Sequence, residues 1–135
     1  MINNLSNYLK REMLDDYWYD SALFVCEDIL KGFSDDEWKE LLEAIPNENI
    51  EWKKRLVECL GGLESPYEMD CIIEIITTDD EDLFVACIDS LRSIDTSTMD
   101  ESIRKDIIKQ VEKVIEENSS SPVKKVLEEF LSVIA

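Results

Sequence analysis

Between Trp52 and Leu63 the apolar residues Trp52, Leu56, Cys59, Leu60 and Leu63 fall at offsets 0, 4, 7, 8 and 11. At 100° per residue those steps return to one side of a helix. The template recurs three times. Ala22, Cys26, Ile29, Leu30 and Phe33 form one copy; Leu83, Cys87, Leu91 and Ile94 form another, with Ser90 at offset 7; Val123, Leu127, Phe130, Leu131 and Ile134 form the last. The copies begin at residues 22, 52, 83 and 123, at intervals of 30, 31 and 40 residues. Self-similarity at such intervals is the mark of a helical-repeat architecture.

A second set of amphipathic segments lies between the copies. Leu5, Tyr8, Leu9 and Leu14 predict a helix over 3–14, and Asp15-Asp16 opens the helix that reaches Gly32 or Phe33. Acidic residues favour helix starts because they face the positive end of the helix dipole. Ser34 with Glu37 forms a capping box before Trp38, Leu41, Leu42 and Ile45, and Pro46 stops that helix. Asn47 or Asn49 caps the organising helix, which Gly61-Gly62 ends. Ser65-Pro66-Tyr67-Glu68 combines a capping serine, a first-turn proline and a glutamate at the third position. Asp79-Asp80-Glu81-Asp82 starts the third copy, and Thr98 with Glu101 opens a longer helix to about residue 117. Asn118–Ser121 reads as a loop, with Ser121-Pro122 starting the last helix. The expectation is an all-α single domain over 1–135. It holds about eight helices in a right-handed stack of four antiparallel hairpins, at approximately 3–33, 34–63, 65–94 and 98–135.

Hairpins of this length, with second helices patterned as Leu56-x-x-Cys59-Leu60-Gly61-x-Leu63, resemble HEAT-type repeats over nearly the whole chain. The chain lacks the proline inside each first helix and the regular Asp/Arg pair at the turn, which leaves armadillo-like stacks as an alternative. Within the HEAT group the chain resembles the helical-repeat immunity proteins of bacterial toxin systems, including contact-dependent growth inhibition. That resemblance implies a protein that binds a cognate toxin domain, often a nuclease, and covers its active site. It implies no particular binding residues.

Composition sharpens the functional reading. The chain carries 32 acidic and 14 basic residues, for a net charge of −18. Such a field repels nucleic acid and anionic membranes and draws in basic partners; it also serves solubility. There is no histidine, no C-x-x-C pair and no glycine-rich phosphate loop. Catalysis, a metal centre and a bound cofactor are therefore not expected. Cys26, Cys59 and Cys87 fall on apolar faces, where reduced thiols act as small hydrophobes. With no basic-then-apolar leader at the N-terminus and no long apolar run, a cytoplasmic, membrane-free, monomeric protein is expected.

Two stretches are candidate binding elements. Offset 6 of the template lies opposite the apolar face and holds Asp28, Glu58, Asp89 and Glu129. With neighbouring helices about 10 Å apart, these would form a carboxylate column of about 30 Å. Glu27 and Glu128, at offset 5, broaden it. The alternative is an ordinary solvated face, partly neutralised by Lys54 and Lys125 through i, i+4 pairing with Glu58 and Glu129. The second stretch is Tyr17-Trp18-Tyr19, framed by acids. Consecutive helical residues point 100° apart, so at least one of the three must face outward, either as an interface anchor or as a cap over the end of the stack. Phe24 and Val85, at offset 2, would add exposed apolar contacts, whereas Trp38 and Trp52 belong to the core.

Overall fold

A computed structural model describes residues 2–117 and 121–134. Among these residues every regular element is helical. Helix α1 is Ile2–Lys10 and α2 covers residues 15–31. Helix α3 is Asp35–Ala44, extended by a 3₁₀ turn at Ile45–Asn47, and α4 is Ile50–Cys59. The second half holds α5 (Tyr67–Ile76), α6 (Glu81–Leu91), α7 (Glu101–Glu117) and α8 (Ser121–Ile134). The predicted loop at 118–120 lies outside the described residues.

The caps are largely those the residue types dictate. Ser34 and Glu37 exchange both hydrogen bonds of the capping box. Asn49, not Asn47, accepts from the Trp52 amide at 2.9 Å, and Asp80 accepts from Leu83 at 2.9 Å. Each such cap is worth about 1 kcal/mol. Two boundaries differ from expectation. The start of α7 is capped by Asp100, which accepts from Ser102 and Ile103, in place of Thr98. An ionised carboxylate next to the first turn is the better acceptor and also meets the helix dipole. Helix α1 ends at Lys10 instead of running to 14. The buried Arg55 takes the carbonyls of Leu9 at 3.1 Å and Arg11 at 2.7 Å, closing the helix there.

Packing follows the template. The even-numbered helices touch in the series α2–α4–α6–α8, while α1, α3 and α5 touch in a parallel series. Between the two lies one hydrophobic core that includes Leu5, Cys26, Leu56, Leu83, Cys87, Leu127 and Phe130. All four cysteines are buried and free. Trp38 and Trp52 are core residues, as read from the pattern. Helix α7 rests chiefly on α8.

Helix α2 contains a π-helical turn at Trp18–Ala22, where the Leu23 amide reaches back to the Trp18 carbonyl. Its buried residues Trp18, Ala22, Cys26 and Leu30 are spaced by fours. In a regular α-helix four residues overshoot a turn and the stripe would rotate away. The wider π turn takes up that excess and keeps Trp18 over the core.

Candidate functional site

Trp18 is 2% exposed, while Tyr17 and Tyr19 on either side of it are 48% and 46% exposed. Trp18 is thus no surface contact residue, which corrects its reading as part of an interface. The guanidinium of Arg55 lies 5.5 Å from its ring centroid, and Arg55 in turn pairs with Glu51 at 3.2 Å. A buried cation against an aromatic face is a desolvated cation–π contact, so Trp18 works from beneath as a support.

Tyr19, the next residue, reaches the neighbouring helix. Its hydroxyl donates a hydrogen bond to the Glu58 carboxylate on α4. Two candidates read separately from the sequence, the aromatic triplet and the carboxylate column, therefore meet at one point. The geometry shapes both ionisations. Tyr19 is raised to about 12, first by its hydrogen bond to Glu58, then by burial and by the charge of Glu58. Glu58 is half-buried, and that burial raises its carboxyl above the usual range; the Tyr19 hydrogen bond, Lys54 and the Trp18 indole oppose the rise. The Trp18 N–H itself is buried with no hydrogen bond of normal geometry.

Tyr19, Glu58 and Asp89 line a shared concavity of about 270 Å³ with Leu23, Leu60 and Ser90. Ser90 fixes its floor by donating to the Val57 carbonyl at 2.8 Å, which joins α6 to α4. The site thus spans the even-numbered helices α2, α4 and α6, the elements whose offset-6 residues the sequence singled out.

The remaining carboxylates are not equivalent. Arg92, just past α6, pairs with Asp89 and, at 2.5 Å, with Glu129 on α8. Among the described residues, Glu58 and Glu129 make no ion pair with Lys54 or Lys125, although the charge of Lys54 lowers the Glu58 carboxyl; the cation that pairs with Asp89 and Glu129 is Arg92. A guanidinium fork can bridge two carboxylates on adjacent helices, which a lysine four residues along the same helix cannot. Asp28 and Glu128 are exposed, and Glu27 is half-buried, at the two ends of the row. None of the three has an ion-pair partner among the described residues. Phe24 stands 58% exposed on α2, and Val85 is half-buried.

Sequence reasoning missed Arg55 and Arg92, because a lone arginine on a polar helix face carries no signal of its partners. It also missed how much Glu68 does. Beyond meeting the Ser65 amide at 3.2 Å, the buried Glu68 carboxylate accepts from the amides of Gly61 and Leu63 and so ties the whole α4–α5 loop. No cluster of three or more candidate metal ligands occurs among the described residues. No helix among them is long and apolar enough to cross a membrane. Comparison with known proteins finds no matching family model, no matching curated protein and no matching solved structure.

Proposed function

We propose that this chain is a non-catalytic immunity protein. In this reading it acts in the cytoplasm as a right-handed, HEAT-like stack of four helical hairpins. It binds a basic, nucleic-acid-cleaving toxin domain through the acidic face of α2, α4, α6 and α8 and covers that domain's active-site cleft. The observation that carries the reading is the concavity where Tyr19, Glu58 and Asp89 converge. It pairs an exposed aromatic anchor with carboxylates on a chain of net charge −18. Aromatic side chains supply contact area at interfaces, and a basic nuclease cleft would meet carboxylates in place of phosphates. The even-helix contact series supports the stacked-hairpin architecture.

A second reading, an acidic adaptor or scaffold whose charge only solubilises it, gains support from Arg92. Asp89 and Glu129 are already paired with that cation, so part of their charge is neutralised within the chain.

The two readings separate by co-expression with the C-terminal domain encoded immediately upstream in the source genome. The immunity reading expects relief of growth arrest and a complex that survives purification. It also expects slower association at low salt when Asp28→Lys and Glu128→Lys are introduced, because both side chains are exposed. A harmless neighbour, or one that never associates, would leave the scaffold reading in place.

A further inference from the structure

Helices α1, α3 and α5 touch one another in series, but α7 rests on α8, and between α5 and α7 the surface opens. The opening is a cavity of about 510 Å³ whose walls carry Ile73, Ile76, Phe84, Ile103 and Ile107. A second cavity of about 440 Å³ shares Thr78, Asp79, Phe84, Gln110 and Lys113 with it, so the two form one groove. Along α7 it runs from Ile103 to Glu117, about 21 Å at 1.5 Å per residue. Ile73 and Ile103 are only half-buried there. This groove lies among the first helices of the hairpins, and its lining shares no residue with the Tyr19–Glu58 concavity.

We infer that this groove docks a basic amphipathic helix from a partner protein. Three features select that occupant. Apolar side chains concentrate at one end, where Ile73, Ile76, Phe84, Ile103 and Ile107 meet, and thin to Phe84 and Val114 at the polar other end, which suits a helix that is apolar on one face and charged around it. The length fits about 14 residues, or four helical turns. The rim is acidic: Asp79, Asp80, Glu81, Asp106 and Glu117 stand around it against the single cation Lys113. A helix with one apolar stripe flanked by lysine or arginine matches floor and rim together, and the rim charges set its orientation and on-rate. The docked helix would fill the space between α5 and α7 and extend the α1–α3–α5 series.

The probe is a fluorescein-labelled peptide of about 14 leucines and lysines, with leucine at i, i+3, i+4 and i+7, against a scramble of equal composition. Fluorescence anisotropy with the full chain should show saturable binding of the patterned peptide and about tenfold weaker binding of the scramble. Circular dichroism should show helix induced in the patterned peptide. Gln110→Trp, which fills the groove mouth from an exposed position, and Asp106→Lys, also exposed, should each weaken binding about tenfold. Glu12→Lys, exposed and outside both the groove and the toxin-binding face, should leave it unchanged, and Asp28→Lys compared with Asp106→Lys separates this result from that of the toxin-binding face. Equal binding of the scramble, no binding of either peptide, or indifference to both groove substitutions would overturn the inference.

Discussion

The phenol of Tyr19 donates to the carboxylate of Glu58 and so fastens α2 to α4 across 39 residues of sequence. Neither residue would be assigned to the other from the chain alone. Tyr19 sits beside a buried tryptophan on a π-helical turn, and Glu58 lies opposite the apolar stripe of α4. Their contact places an aromatic ring and a half-buried carboxylate at the mouth of one concavity.

Alkaline titration should detect this contact directly. Tyr19 should ionise near its raised value of about 12. Phenolate absorbance during a pH titration should therefore show one late step, which disappears in Tyr19→Phe and moves down in Glu58→Gln. The folded value is raised, so the contribution of the contact to stability is full below about pH 10, the ordinary phenol value, and is lost as pH rises toward 12. A late step that survives in Glu58→Gln would assign the shift to burial.

Arg92 joins the C-terminal part of the acidic row, since its guanidinium holds Asp89 and Glu129 on neighbouring helices. Both carboxylates are about half exposed, so Arg92→Ala should cost only about 0.5–1 kcal/mol at low ionic strength. Part of that cost is repulsion between the two acids left behind, and added salt should shrink it. Arg92→Lys should recover only part of the loss, because a point charge replaces a fork. Urea midpoints at low and high ionic strength test this. A penalty independent of salt would assign the effect to packing of the arginine stem.

The helical class, the cap at Ser34 and the buried faces of α2, α4, α6 and α8 were legible because each rests on local chemistry. Apolar residues at offsets 0, 4 and 8 share one helical face, while three of those at offset 11, Phe33, Leu63 and Ile94, lie past their helices and are half-buried; a serine three residues before a glutamate closes a helix start by itself. What the pattern could not give was partnership across the chain. Arg55 reads as a polar-face residue until α1 ends against it, and Glu68 reads as a cap until the loop at 61–65 folds over it. The carboxylate column was legible as a face but not as a set of differing groups. Glu58 is drawn to a tyrosine, Asp89 and Glu129 to an arginine, and Asp28 to neither. Trp18 was misplaced because three adjacent aromatics say only that one points outward, and the π turn decides which.

Gly61 and Gly62 look alike in sequence and should behave oppositely. Gly61 has φ of +113°, and a Cβ there would lie 3.2 Å from the Ser90 carbonyl oxygen on α6. Its amide also donates to Glu68. Gly61→Ala should cost about 1–3 kcal/mol, from strained backbone and from pushing α6 off the loop. Gly62 has open space around its Cβ position and no positive φ. Gly62→Ala should be neutral or stabilise by up to about 1 kcal/mol by restricting the unfolded chain. Chemical denaturation of both variants decides it; equal effects would contradict the assigned loop geometry.

Two buried thiols, Cys71 and Cys87, make stability fall at alkaline pH. Burial pushes Cys71 and Cys87 up to about 12, above the ordinary value of 9. Between those limits the unfolded chain has lost these protons while the folded chain keeps them. Folding therefore takes up protons, and stability declines with rising pH by about 1.4 kcal/mol per pH unit for each thiol. Below about pH 9 their full contribution is present. Cys87 isolates the effect best, because burial is the whole cause of its shift, whereas neighbouring acids at Asp70, Glu68 and Glu74 add to that of Cys71. Cys87→Ala should lower stability at pH 7 through the lost core contact, yet flatten its decline between pH 9 and 11. The gap between wild type and variant should narrow as pH rises. Urea unfolding at several pH values reads that slope, and a gap that stays constant would mean the Cys87 thiol ionises in the folded state as readily as in the unfolded one.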